Sequence, residues 1–299
     1  MLQKLKKFVH RSLDYIIHPV LRRHAIYQPP DAAAQLQLML TYQNLVRENK
    51  PLPPLRDTGF RVYSECDEDG ILLYIFSLIG WTNKRCVEVC AGDGIQCNTT
   101  NLILHHGFNG LLIDGDSELV NRGRKFFMRH PNTAVFPPPF VHAWITRRNI
   151  NELISNHGFS GEIDLLSLDM DGMDYWILSE LNVIQPRVIV LEYLEIIGPE
   201  RAITVPYSDD FWGFAKYTTN GMMDYAGASL LAFTKLLAGR GYRLVGCNRF
   251  NYNAFFVKEE LARDVLPGAK VSDCFSHPKA QWGMAERFPK VKNLPWVDV

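Results

Sequence analysis

The sequence lacks an excess of charge of either sign, since 32 Lys and Arg residues balance 32 Asp and Glu residues. A nucleic-acid-binding domain usually carries a basic surplus, so we expect no nucleic-acid partner. With 299 residues, 47% hydrophobic and 21% charged, the chain has the composition of an ordinary globular protein. It is long enough for one large domain with additions.

Metal-binding cysteine pairs and long apolar runs are also missing. The six cysteines form no CxxC pair, and no second Cys/His pair completes a zinc site. We interpret them as reduced thiols of a cytoplasmic protein. We find no secretory signal, no apolar run long enough to span a bilayer, and no internal repeat or low-complexity tract.

Residues 1–24 read as an amphipathic basic helix, with apolar residues at helical spacing and Lys or Arg between them. One interpretation is packing on the main domain or on a second copy in a homo-oligomer. The other is an anchor on a membrane surface, which would make the cytoplasmic protein membrane-associated. A second helix is predicted over Ala32–Arg47, and Pro51, Pro53 and Pro54 then form a stiff link. We therefore assign residues 1–60 to an N-terminal helical extension.

Short apolar runs alternate with helical patterns through residues 61–262, which is typical of strand–helix units around a parallel sheet. The predicted strands are Arg85–Cys90, Gly110–Asp114, Phe140–Ile145, Ile163–Asp169 and Arg187–Tyr193. The predicted helices are Asn98–His106, Ser117–Arg129, Asn149–His157, Tyr175–Leu181 and Gly227–Ala238. Tyr242–Cys247 and Asn253–Lys258 then predict an antiparallel hairpin. This order predicts an α/β, Rossmann-like, seven-stranded methyltransferase sheet, and we expect an irregular tail over residues 263–299.

A glycine-containing loop follows the first predicted strand, within Val87–Gly94. Gly92 and Gly94 allow a tight turn and a close approach to a ligand. The pattern is shorter than the dinucleotide motif and suits a ligand without a pyrophosphate, such as S-adenosylmethionine, although a simple turn also explains it. The second strand ends at Asp114, about 20 residues further on, where an ionised carboxylate accepts hydrogen bonds from both ribose hydroxyls. Asp116 is a competitor for that role, and Asp114 as a helix cap is the alternative.

Carboxylates crowd the end of the fourth predicted strand. Asp169 ends this strand, Asp171 and Asp174 follow it, and Glu192 lies at the end of the fifth strand. In open α/β sheets, ligands bind at these carboxyl ends. One carboxylate would take a proton from an acceptor hydroxyl, or Asp169, Asp171 and Glu192 would hold a divalent cation. Helix capping is the structural alternative.

The chain resembles the FkbM-like family of S-adenosylmethionine-dependent methyltransferases, and within it a bacterial subgroup found among glycan and secondary-metabolite genes. The resemblance covers about residues 62–260, and Asp164–Trp176 is its most specific stretch. The matching segments are Ser64–Ile71, Val87–Gly94, Asn98–Thr99, Gly110–Asp116, Asn149–Asn151, Asp164–Trp176, Pro186–Tyr193, Gly198–Glu200, Thr204–Tyr207, Gly227–Leu230 and Gly241–Val257.

The resemblance implies a Rossmann-like methyltransferase fold and a site role for Asp169, Asp171 and Glu192. It implies cofactor contacts at Glu88, Gly92, Gly94 and Asp114, and we add Asp93, Asn98 and Asp169 as cofactor-binding candidates. Three positions depart from the family pattern. Cys90 replaces the first loop glycine, Glu65 stands where Gln is expected, and Leu194 stands where Asn is expected.

The acceptor is expected to bind beside an insertion over residues 194–226. This stretch is rich in aromatic and acidic side chains, which suit a saccharide or another hydroxylated small molecule, although a small satellite core is the alternative. His142 is a further candidate base, with a buried structural histidine as the alternative. We therefore expect an O-methyltransferase of glycans or small molecules. The rival hypotheses are a metal-dependent glycosyltransferase using Asp169 and Asp171 as a DxD motif, and a non-catalytic protein with a decayed pocket.

Overall fold

The computed structural model of the protein describes residues 32–211 and 217–299. The predicted helix over residues 1–24 lies outside these residues. The chain divides into two compact units between Leu38 and Met39. The described part of the first unit, residues 32–38, is helical, and it belongs to the predicted helix Ala32–Arg47, which is confirmed. No helix among the described residues is both long and apolar enough to cross a membrane.

A seven-stranded sheet forms the centre of the second unit. The α-helices are α1 (Ala32–Arg47), α2 (Glu68–Ile79), α3 (Thr100–His106), α4 (Ser117–Arg129), α5 (Ile150–Asn156), α6 (Asp174–Glu180), α7 (Leu230–Ala238), α8 (Pro278–Trp282) and α9 (Phe288–Val291). The strands are β1 (Arg85–Val89), β2 (Asn109–Asp114), β3 (Phe140–His142), β4 (Gly161–Leu168), β5 (Ile184–Glu192), β6 (Ile203–Thr204), β7 (Thr218–Thr219), β8 (Met222–Met223), β9 (Tyr242–Cys247), β10 (Asn253–Lys258) and β11 (Val297–Asp298). Short 3₁₀ turns cover Leu55–Asp57, Glu195–Ile197 and Val271–Phe275, and a π-helical turn covers Gly283–Arg287.

The strand order of the large sheet is β3-β2-β1-β4-β5-β10-β9. The first five strands are parallel, and Val87 of β1 pairs with Leu111 of β2 on one side and with Leu166 of β4 on the other. β10 runs antiparallel to both β5 and β9. The predicted Rossmann-like methyltransferase sheet with a terminal antiparallel hairpin is therefore confirmed.

Apolar residues make the central strands suitable for a position between helices. From Ile163 to Leu168, β4 is buried on both faces, as expected of a parallel strand covered on both sides. Residues of β1, β4 and β5 share one continuous core with α5, α6 and α7. Side-chain caps define two helix starts, because Asp116 accepts hydrogen bonds from the amides of Glu118 and Leu119, and Ser229 accepts one from Ala232.

Two regular features were not expected from the sequence. The first is α2 at Glu68–Ile79, a helix buried almost all round. The expected irregular tail over 263–299 contains α8, α9 and β11, and β11 pairs with β6. These short elements are stabilised by distant packing partners, such as Tyr225 against Trp296, which a local pattern does not reveal.

The direction of strand succession reverses between β1 and β4. In an open α/β sheet this switch point leaves a crevice outside the carboxyl ends of the strands. The loops after β1 and β4 flank that crevice, so the fold itself positions the two sequence motifs side by side.

Candidate functional site

A cavity of about 980 Å³ opens at the carboxyl ends of the parallel strands. Its volume falls in the range of small-molecule and cofactor sites. The predicted site residues that line it are Gly92, Asp114, His142, Asp169, Asp171 and Glu192. The sheet topology thus unites residues that lie 100 positions apart in sequence.

The loop after β1 is tight although its first position lacks a glycine. Cys90 adopts a left-handed φ of 61°, a conformation that usually favours glycine, and its side chain lines the cavity. Burial, followed by the negative charge of Asp114, raises the pKa of the Cys90 thiol, which keeps it protonated. Gly92 has a φ of 56°, and a β-carbon placed on it would meet nothing within 4 Å. The backbone at Gly92 therefore borders open space that a ligand can approach.

Asp114 ends β2 and points its carboxylate into the same space. One oxygen accepts a hydrogen bond from the Gly92 amide at 2.7 Å, and the other accepts one from the Asp116 amide at 2.8 Å. These bonds fix the carboxylate, and each oxygen keeps a lone pair for a ligand. Burial raises the pKa of Asp114. The arrangement suits a ligand that offers two neighbouring hydroxyl groups.

Glu88 is not a cavity residue, contrary to the predicted cofactor contact. Its buried carboxylate accepts hydrogen bonds from the Thr99 amide at 2.7 Å, the Asn98 amide at 3.2 Å and the Ser167 hydroxyl at 2.9 Å. It therefore binds the amides at the start of α3, where helix N–H groups lack partners within the helix. Burial raises the pKa of Glu88.

Three other predicted cofactor residues also lie outside the cavity lining. The Asp93 carboxylate accepts a hydrogen bond from the Ile95 amide, and the Asn98 amide group donates to Ser167. Gly94 has a φ of 68°, and a β-carbon there would clash with Phe127 and Phe140. These residues shape the turn beneath the cavity, and the loop pattern alone did not distinguish that role from ligand contact.

Carboxylates gather on the opposite wall. One oxygen from each of Asp169, Asp171 and Glu192 lies within 4.8 Å of the others. Burial, followed by the charges of Asp174 and Asp171, raises the pKa of Asp169 well above its usual value. Burial and the neighbouring Asp169 do the same for Glu192. Glu65 also lines this wall, a position that sequence reasoning noted only as a departure from Gln.

Asp174 has a different position from the other acids after β4. Its carboxylate accepts hydrogen bonds from the Met170 amide at 2.8 Å and the Gly172 amide at 3.1 Å. It does not line the main cavity, and burial raises its pKa to about 6. The alternative of a structural acid at this position is thus favoured, because Asp174 holds the loop that carries Asp171.

His142 lies at the cavity wall but is already engaged. Its Nε2 forms a 3.0 Å hydrogen bond with the Gly115 carbonyl, so that nitrogen acts as the donor. The ring is exposed, in contrast to the buried structural histidine that we gave as its alternative.

The predicted insertion closes one side of the cavity. Tyr207 and Phe211 line it, whereas Tyr217 and Tyr225 pack on each other with ring centroids 5.7 Å apart. Trp212 and Phe214 of this insertion lie outside the described residues. The Asp209 carbonyl accepts a hydrogen bond from the Trp144 indole at 2.7 Å, and the Asp209 carboxylate pairs with Arg148. Trp144 was not predicted as a site residue, because its hydrogen bond with Asp209 of the insertion joins segments 65 residues apart.

Negative charge dominates the described part of the lining. Its carboxylates are Glu65, Asp114, Asp116, Glu118, Asp169, Asp171, Glu192 and Asp209, and no Lys or Arg of the described chain joins them. A cavity of this kind attracts cationic groups and repels phosphates.

Comparisons with known proteins give no family assignment. No family model matches the sequence, and no curated protein matches it. Similar solved structures include the N-terminal domain of EvdMO1 with SAH bound (14% identity, TM-score 0.41), covering 72% of this chain and 93% of that one. Another is the glycopeptide N-methyltransferase MtfA complexed with sinefungin (12% identity, TM-score 0.38), covering 66% and 90%. WbdD (16% identity, TM-score 0.35) covers 77% of this chain and 41% of that one. Scores this low carry no functional argument, and the FkbM-like resemblance stays a prediction.

Proposed function

We propose that the protein is an S-adenosylmethionine-dependent methyltransferase that methylates a hydroxyl group of a saccharide or another hydroxylated small molecule. The observation that carries the proposal is a single cavity, at the switch point of a methyltransferase-type sheet, that joins Gly92 and Asp114 to the carboxylates Asp169 and Glu192. One wall suits a nucleoside, and the other suits proton transfer.

The cofactor fits the residues present. Asp114 keeps free lone pairs for the two ribose hydroxyls, and the open space beside Gly92 admits a ligand close to the backbone. The sulfonium and amino groups are cationic, which complements the acidic lining of the described cavity. When bound, the cofactor supplies an electrophilic methyl group.

The carboxylates support two ways of activating the acceptor. In the first, Asp169 or Glu192 accepts the hydroxyl proton as the oxygen becomes a nucleophile. Burial raises the pKa of both carboxyl groups, which strengthens their affinity for a proton.

In the second, a divalent cation bound by Asp169, Asp171 and Glu192 orients the acceptor oxygens. One carboxylate oxygen from each of these residues lies within 4.8 Å of the other two, so a single hard cation that prefers oxygen ligands could contact all three. Electron paramagnetic resonance of added Mn²⁺ tests this arrangement without any turnover. Asp169→Asn with Asp171→Asn should lose the bound-ion signal, and Glu118→Gln, a change elsewhere on the cavity wall, should keep it.

A metal-dependent glycosyltransferase is the rival function. It would use Asp169 and Asp171, but a nucleoside diphosphate would add negative charge to an acidic cavity whose described lining has no Lys or Arg. A thermal-shift comparison distinguishes the two. We expect stabilisation by S-adenosylmethionine, and stabilisation only by a nucleoside diphosphate with Mn²⁺ would favour the rival.

Transfer of a labelled methyl group to a panel of saccharides and other hydroxylated compounds tests the proposed activity. Glu192→Gln and Asp169→Asn should each lower turnover by about 100-fold if proton transfer limits the rate. Glu118→Gln is the matched control and should remain active. A protein that binds the cofactor but labels no hydroxylated acceptor would contradict the proposal and favour a non-catalytic role.

A further inference from the structure

The loop between α4 and β3 carries apolar side chains that stand in solvent. Val135 is 98% exposed and Phe136 is 76% exposed, and Met128 in the last turn of α4 is 60% exposed. We call these three residues the apolar tip. Neighbouring exposed apolar side chains, such as Val135 and Phe136, mark sites of interaction with a partner or a membrane.

Hydrogen bonds anchor the loop, so that the tip projects. The amides of Thr133 and Ala134 donate to the His130 carbonyl at 3.0 and 2.9 Å, and the Thr133 hydroxyl donates to the Phe127 carbonyl at 2.7 Å. On the other side, residues 137–139 are three consecutive prolines, whose φ angles are fixed. The backbone on both sides of Val135 and Phe136 is therefore restrained, and this restraint keeps their side chains exposed.

Cations lie along the adjacent face of α4. Arg122, Lys125 and Arg129 follow one another at spacings of three and four residues, which places them on one side of the helix. All three are exposed, and within the described residues none of them has a carboxylate ion-pair partner. We call them the cationic stripe. The sequence from 117 to 139 contains one acid, Glu118, so little negative charge offsets them.

We propose that the apolar tip and the cationic stripe form a docking surface for a membrane that contains anionic lipids. The stripe would contact the headgroups, and Val135 and Phe136 would insert at the boundary between headgroups and acyl chains. An exposed apolar tip beside cations without carboxylate partners suits a deformable bilayer surface with anionic headgroups. It suits a protein partner less well, because a protein would need a groove complementary to the tip.

The surface has a defined orientation relative to the cavity. Ser117, Glu118 and Leu119 at the start of α4 line the cavity, whereas Met128 lies at the other end of this 13-residue helix. A helix of that length spans about 20 Å. The cavity-lining start of α4 and the apolar tip therefore lie at opposite ends of one helix, and this inference does not depend on the identity of the reaction.

Co-sedimentation of the full chain with vesicles tests the docking surface. We expect binding to vesicles of phosphatidylcholine with phosphatidylglycerol, little binding to phosphatidylcholine alone, and weakening by salt. Each cation near an anionic surface contributes about fivefold to the affinity, so Arg122→Gln with Lys125→Gln and Arg129→Gln should weaken binding about 100-fold. Val135→Ser with Phe136→Ser should weaken it at least about tenfold. The matched control, Lys50→Gln with Arg56→Gln and Arg61→Gln, removes the same charge and should bind as the unchanged protein does.

Three outcomes would overturn the proposal. The first is equal binding to both kinds of vesicle, or to neither. The second is loss of binding only when Lys4, Lys6 and Lys7 are changed to Gln, which would assign membrane contact to residues 1–24. The third is that Val135→Ser with Phe136→Ser converts a dimer to a monomer and leaves vesicle binding unchanged. Because all these substitutions are at exposed or N-terminal positions, circular dichroism should show unchanged folding.

Discussion

Single buried carboxylates hold loops at both ends of the sheet by accepting backbone hydrogen bonds. Asp164 accepts the amides of Thr82, Asn83 and Lys84 at 2.9, 3.0 and 2.6 Å, and pairs with the buried Arg187 at 2.9 Å. Glu88 binds the start of α3 in the same way. Such residues resemble catalytic acids in a sequence, but their lone pairs are already occupied.

Asp164→Asn should therefore destabilise the protein strongly. It leaves the Arg187 guanidinium buried without its charge partner, and breaking a buried pair in this way costs about 3 to 5 kcal/mol. Urea unfolding monitored by circular dichroism measures the change. Glu162→Gln, which removes an exposed partner of Lys258 from the same strand, should cost less than about 1 kcal/mol. Equal losses from the two substitutions would contradict the structural role given to Asp164.

Asp69 should make stability depend on pH. One oxygen of its carboxylate accepts the amides of Val62, Tyr63 and Ser64, and burial raises its pKa from 3.8 to about 6. Between about pH 4 and 6 the folded state therefore binds more protons than the unfolded state at this residue. Its contribution to the free energy of unfolding falls as the pH rises through that window. Chemical denaturation at several pH values should show a weaker fall in Asp69→Asn, and an identical pH profile would contradict this assignment.

Among the elements, the insertion over residues 194–226 connects the cavity wall to the loop after β3. The Tyr207 hydroxyl accepts a hydrogen bond from the Arg147 amide at 3.0 Å and donates one to Asp209. Asp209 in turn binds Trp144 and Arg148. These bonds join two segments that both line the cavity, so they should set the shape of its entrance.

Tyr207→Phe should lower the melting temperature by a few degrees and weaken cofactor binding by up to about fivefold, because it removes hydrogen bonds worth about 1 kcal/mol that hold the cavity wall. Calorimetry and thermal melting measure the two effects. Tyr225→Phe is the control, since Tyr225 belongs to the same insertion but its hydroxyl bonds to the Pro295 carbonyl of the C-terminal segment, away from the cavity lining. A larger effect on binding in the control would show that the insertion does not shape the cavity in this way.

The elements also show where sequence reasoning succeeds and fails. Apolar runs bounded by loops predicted the strands, and β9 and β10 have the predicted bounds. Helix α2 was missed because it is apolar on nearly all sides, and such a helix lacks the polar face that produces a 3.6-residue period. Glu88 does not line the cavity, and the loop pattern could not show this because it does not tell which face of β1 its side chain occupies. Glu65 was not assigned to the site because its position depends on the packing of α2, which was not predicted.

At the scale of the whole molecule, the sheet order accounts for the site. Parallel strands place their carboxyl ends on one edge, and the reversal between β1 and β4 opens the crevice there. Six predicted site residues therefore meet in one cavity although they come from five strand ends. The end of β2 contributes the carboxylate that the account assigns to the ribose, and this assignment connects the fold to the proposed reaction.

Isothermal titration of S-adenosylmethionine into the protein and into Asp114→Ala tests that assignment most directly. We expect binding by the unchanged chain and a loss of about 100-fold in Asp114→Ala, because two hydrogen bonds to a charged oxygen acceptor disappear. Asp116→Asn, which changes the cap of α4 beside the same cavity, should bind much more tightly than Asp114→Ala. Absence of binding by the unchanged protein, or equal affinity in Asp114→Ala, would contradict the account.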